Sequence, residues 1–186
     1  MLRQRTRALA FSFVVVASTL VAVGASAVAQ TGEASLGPAL LVAVQVQDMG
    51  TFDRVTFQFR DPTPLPDIFR FEYIARPVVE NPSGLEVSVA GNAVLQIVMS
   101  NASGVDLTVD PPEETYTGPT RIVANLPNVI EVVETGDFEA VLSWAIGVRD
   151  GGGGGTAQVL TGPTRVVVDI PHVAAPTVLA APSFTG

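Results

Sequence analysis

Arg54–Arg60 reads RVTFQFR. Val55, Phe57 and Phe59 alternate with Arg54, Thr56, Gln58 and Arg60, which is the period of a strand with one face in a core and the other in water. Ile68–Ala75 (IFRFEYIA) repeats the pattern and places Phe69, Phe71 and Tyr73 on one face. Outward from these two stretches lie further short β-rich runs: Leu40–Val46, Leu85–Val89, Val94–Met99, Val129–Val133, Val141–Val148 and Arg165–Ile170. Turn-forming sequences such as DPTPLPD, NPSG, NASG, DPPEE and ETGD separate them. No window carries three turns of helical spacing free of glycine and proline. The expected fold is all-β, a β-sandwich of short, mostly antiparallel strands. Trp144, mid-strand in LSWAIG, is expected in its core.

The pentapeptide TGPTR occurs at Thr117–Arg121 and again at Thr161–Arg165, each time ahead of a β-branched run. The flanking sequences share nothing further, so the repeat reads as one turn-into-strand solution used twice, not as a duplicated module. Five consecutive glycines, Gly151–Gly155, lie between two strand-like runs and are expected to form a mobile hairpin loop.

The first residues carry Arg3, Arg5 and Arg7 without an acid, then an apolar run, then small residues up to Ala29. Residues 1–29 are therefore expected to be a secretory signal peptide, a retained membrane anchor being the alternative. Residues 30–38 would be a short linker, 39–171 the sandwich, and 172–186 an Ala/Pro-rich tail. All ten basic residues are arginine, and the chain carries 18 acids for a net charge of −8. Removal of three arginines with the signal leaves seven, so the mature charge is 7 − 18 = −11. Such a surface repels phosphate backbones and disfavours anionic wall polymers as bulk electrostatic targets. With no cysteine, the chain has no zinc-thiolate or thiol redox chemistry.

Catalysis finds little support. The lone histidine, His172, falls in the expected tail, where it reads as solvated; no second histidine or cysteine completes a nucleophilic arrangement. No metal site and no cofactor are expected. Two acidic groups occur, Asp106, Asp110, Glu113 and Glu114, and then Glu131, Glu134, Asp137 and Glu139. Neither follows the ligand spacing of a calcium loop, and both read as solvated loops. A glycosidase pair is defined by separation in space, which a sequence does not display.

The binding candidates are Arg54, Arg121 and Arg165, together with Tyr116. The arginines flank inward-facing strand residues and so tend to the outer face, where they can grip a carboxylate or pair with local acids. Tyr116 follows an acidic loop and is expected to be exposed.

An ordered series of stretches resembles the AMIN-like domain of exported actinobacterial proteins: GTFDRVTFQF (Gly50–Phe59), FRFEYIARP (Phe69–Pro77), SGVDLT (Ser103–Thr108), YTGPTRI (Tyr116–Ile122), NVIEVVETGDFEAVLSWAIGV (Asn128–Val148) and PTRVVVDI (Pro163–Ile170). The resemblance implies a β-sandwich related to the AMIN modules of cell-wall amidases and secretins. It also implies a non-catalytic, secreted or extracytoplasmic unit associated with the wall, binding peptidoglycan or an envelope protein. The protein alternative is an extended peptide held by strand addition. Gly151–Gly155 departs from the polar, often arginine-rich residues usual between the last two strands of such domains, and the module is expected to stand without an attached hydrolase.

Overall fold

The computed structural model describes residues 37–61 and 64–172. The expected signal peptide, most of the linker and the tail beyond His172 lie outside these residues. No helix among the described residues is long and apolar enough to cross a membrane.

In chain order the strands are β1 (Ala39–Asp48), β2 (Phe52–Phe59), β3 (Asp67–Ile74), β4 (Val78–Val79), β5 (Glu86–Val87), β6 (Ala93–Ser100), β7 (Ala102–Ser103), β8 (Val105–Asp106), β9 (Glu113–Glu114), β10 (Arg121–Val123), β11 (Val129–Phe138), β12 (Val141–Val148), β13 (Thr156–Leu160) and β14 (Arg165–Pro171). The first sheet runs β13-β14-β2-β1-β7 and the second β10-β11-β12-β6-β3. The main pairings are antiparallel; β1 with β7 is parallel. The fold is all-β, as the alternation predicts.

The alternation of β2 is realised residue by residue. Asp53, Val55, Phe57 and Phe59 are buried, while the residues between them are partly open. Val166, Val168 and Ile170 of β14 join them from the first sheet. Leu95, Ile97 and Met99 of β6, and Leu142, Trp144, Ile146 and Val148 of β12, meet them from the second. Trp144 is fully buried, its ring centroid 5.6 Å from that of Phe57, so these two core aromatics join the sheets. The outer face of β12 carries small residues, Ser143, Ala145 and Gly147, because the chain around β4 and β5 lies over it. A Cβ on Gly147 would strike the Ala90 carbonyl oxygen, so glycine permits that approach.

One buried carboxylate fastens the sheets at their rim. Asp53 of β2 is 0% exposed, and its Oδ2 accepts the backbone N–H groups of Asn128 and Val129, each at 2.7 Å, where β11 begins. Its Oδ1 lies 2.7 Å from Nε2 of His172. The histidine is therefore held against the sandwich, and the expectation of a solvated tail residue is corrected. Its backbone N–H also donates to Thr51 O at 2.9 Å.

Two further expectations are revised. A bulge between Ile68 and Arg70 breaks the alternation of β3, so Phe69 is 71% exposed while Phe71 and Tyr73 pack on the core. Gly151–Gly155 is no hairpin: it crosses from β12 in the second sheet to β13 in the first. Its glycines fit under side chains, Gly155 beneath the Phe71 ring and Gly151 against Ala93, and Gly154 O accepts from Tyr73 Oη at 3.3 Å.

The two TGPTR copies both deliver an arginine to a strand start, but by different geometry. Gly162 takes φ +66° in the β13–β14 turn, whereas Gly118 is needed because the Tyr116 ring occupies the place of a Cβ, 2.7 Å away.

Replacing Asp53 by alanine strands two buried N–H groups, and urea unfolding is expected to show a loss of about 3 kcal/mol. Substitution at exposed Glu86 should leave the unfolding midpoint unchanged.

Candidate functional site

The outward residues of the first sheet form a shallow groove of about 200 Å³ lined by Gln45, Gln47, Arg54, Thr56, Gln58, Leu160, Pro163, Arg165 and Val167. Registry builds it. Arg165 stands opposite Gln58, Val167 opposite Thr56, and Asp169 opposite Arg54, while Gln45 faces Thr56 from β1. Val167 points outward yet is only 6% exposed, so neighbouring side chains cover it and it forms part of the floor. Amides, a threonine hydroxyl and guanidinium groups surround it.

Two predicted site residues, Arg54 and Arg165, come together here, and they differ in state. Arg54 holds Asp169 through two bonds, Nε to Oδ1 and Nη2 to Oδ2, both 2.7 Å, and its guanidinium lies 5.3 Å from the Phe52 ring centroid. Arg165 forms no ion pair among the described residues, and its buried Nε has no acceptor. A desolvated guanidinium N–H without a partner is costly, and a carboxylate or carbonyl supplied from outside would satisfy it.

The other two predicted residues lie elsewhere. Arg121 is committed to the fold: its Nη1 donates to Glu131 Oε1 at 2.7 Å and its Nη2 to Ser88 O at 2.8 Å. Glu131 is buried and also accepts the Ala90 N–H at 2.5 Å, so it is not a solvated loop acid. Tyr116 is half-buried, not exposed. Its ring stands edge-on to Trp144 at 5.7 Å, and its hydroxyl donates to Pro119 O at 2.8 Å.

A model of the AMIN-like domain matches residues 39–172, from the first residue of β1 to the residue after β14. The chain belongs to the AMIN-like domain family. That membership associates it with the cell envelope and with modules that are generally of the binding kind. Comparison with curated proteins and with solved structures gave no match in either.

A second concavity of this AMIN-like domain has the opposite polarity. Tyr116, Thr117, Thr120, Glu134 and Asp137 line a cleft of about 380 Å³, and Glu80 and Asn81 extend the same wall. Asp137 Oδ2 accepts from Gly104 N at 2.6 Å and from Ser103 Oγ at 3.1 Å, so it supports the β7–β8 turn. The first acidic group is likewise structural in part. Asp106 Oδ1 caps Thr108, which together with Arg60 lowers its pKa, and Arg60 also reaches Glu113 at 3.6 Å. Burial, followed by the charges of Asp137 and Glu80, raises the Glu134 carboxyl to about 7. The run legible in the sequence stops at Val133 and leaves Glu134 to the following turn, whereas β11 continues to Phe138 through the shift between Glu134 and Gly136.

With a folded pKa above the unfolded one, Glu134 binds its proton more tightly when folded, so its contribution to stability falls as pH rises from about 4.5 to about 7. Glu134→Gln is expected to flatten that slope and, with solvent screening discounted, to gain on the order of 1 kcal/mol at pH 8 but not at pH 4. Thermal melts across pH check it. Arg121→Ala leaves Glu131 buried without its cation, and chemical denaturation should show a loss of about 2 kcal/mol.

Proposed function

We propose that the chain is an exported, non-catalytic envelope module that binds peptidoglycan through the groove on the first sheet. The observation that carries this reading is Arg165, whose buried Nε lacks an acceptor in a groove otherwise furnished with amides and a hydroxyl. In a chain with 18 acids, this groove has no acid of its own lining, the nearby Asp169 being held by Arg54. The stem peptides of peptidoglycan offer carboxylates for Arg165. Its glycan strands offer hydroxyl and acetamide groups for Gln45, Gln47 and Gln58. Recognition is short-range, so the strong negative net charge does not oppose it beyond a Debye length. Signal-directed export and a wall location belong to the same proposal.

Strand addition of a partner peptide is less favoured. Strand β3 ends the second sheet, but its bulge and its outward charges Arg70 and Glu72 are the features that protect an edge from pairing.

The test is co-sedimentation with purified peptidoglycan at physiological salt. Arg165→Ala should weaken binding roughly tenfold, the worth of one charge-assisted hydrogen bond, without lowering the melting temperature. Arg121→Ala should lower stability and leave affinity unchanged. Absence of binding by the parent chain refutes the reading; equal binding by Arg165→Ala removes the groove from it.

A further inference from the structure

The rim where β1 turns into β2 and where β14 ends brings together three side chains that the groove does not use. Asp48 closes β1, Asp53 opens the inward row of β2, and His172 follows β14. One donor atom from each lies within 4.8 Å of the other two. His172 Nε2 is 2.7 Å from Asp53 Oδ1 and 3.7 Å from Asp48 Oδ1. We propose that these residues form a site for a divalent transition-metal ion of the zinc type, with two carboxylate oxygens, one imidazole nitrogen and a fourth position open to solvent.

Three features of the geometry support it. Zinc takes nitrogen and oxygen donors at about 2.0–2.2 Å in a tetrahedron, which sets neighbouring donors roughly 3.4 Å apart. The two separations from Nε2 straddle that value, so small side-chain movements bring all three donors into range. Asp53 is also oriented by its surroundings. Its Oδ2 accepts two backbone N–H groups, the kind of outer support that fixes a ligating carboxylate, and its Oδ1 is left turned towards the imidazole. Finally, both sides of the site are anchored. Asp48 Oδ1 accepts Gly50 N–H at 2.7 Å, Met49 N–H donates to Phe52 O at 2.9 Å, and His172 N–H donates to Thr51 O at 2.9 Å.

Access and selectivity follow from the same residues. The Asp48 side chain is 46% exposed and that of His172 18%, against 0% for Asp53, so the site opens on the Asp48 side. An imidazole among the donors and only two carboxylates favour zinc and its neighbours over calcium or magnesium, which take larger all-oxygen sets. The imidazole would ligate through Nε2 with its proton on Nδ1. Bound metal would lock the residue after the last strand to the first hairpin, two points 119 residues apart in sequence.

The experiment takes the full chain stripped with EDTA and adds ZnCl2, CaCl2 or CoCl2 in separate titrations. ZnCl2 at about a hundredfold excess over Kd should raise the melting temperature by roughly 5 °C or more. Isothermal titration should give one saturable site, and Co2+ should produce the visible absorption of a four-coordinate ion. Asp48→Asn keeps an oxygen acceptor for Gly50 and should weaken Zn2+ binding at least tenfold; His172→Gln should abolish the Co2+ spectrum. Asp53 is left unchanged because its backbone hydrogen bonds support the fold. The proposal is overturned if the parent shows no saturable Zn2+ site. It is equally overturned if both variants bind as the parent does, which would mark adventitious binding to surface acids, or if Ca2+ stabilises as strongly as Zn2+.

Discussion

The carboxylate of Asp53 is the one polar group that the sandwich cannot do without. It occupies an inward position on β2, in the same row as Val55, Phe57 and Phe59, and is the charged member of an otherwise apolar row. Its cost of desolvation is met by two backbone N–H groups of the opposite sheet and by His172. Because those partners begin β11 and follow β14, one side chain fixes the approach of both sheets at this end. Phe57 and Trp144 then join them through the middle of the core.

Charge is distributed by the same registry. Placing Asp169 opposite Arg54 neutralises both and leaves Arg165, on the same outer face, without an ion pair among the described residues. On the second sheet, Arg121 is drawn down onto buried Glu131 and clamps the chain at Ser88. Glu134 is partly buried and meets Asp137 and Glu80 without an arginine among the residues lining that wall, so burial first and those charges second let its carboxyl hold a proton to about 7. Similar residues at strand starts thus end in opposite roles, according to what stands across from them.

Much of the fold was legible in the sequence because side-chain alternation has only two outcomes. RVTFQFR named its inward and outward residues correctly, and LSWAIG placed Trp144. What stayed hidden depends on pairing between distant segments. The bulge that turns Phe69 outward arises from registry with β6, and the burial of Glu131 from the Arg121 and Ala90 that converge on it. Nothing near His172 in sequence hints at its contact with Asp53, 119 residues away. Identical TGPTR segments concealed different demands, a left-handed turn at Gly162 and room for an aromatic ring at Gly118. Arg54 and Arg165 were legible as outward residues, but which of them is spoken for is a cross-strand fact.

The strand order β13-β14-β2-β1-β7 bears on how the chain is made. Strand β2 is finished early, yet its neighbour on one side is β14, nearly the last segment described. Until residue 171 has emerged, β2 lacks its hydrogen-bonding partner on that side and presents a bare edge. A nascent chain of this kind gathers its longest-range contacts last and stays loosely organised through synthesis. Closure of the first sheet is thus tied to the end of the domain, and removing the last strand would leave β2 with one partner instead of two.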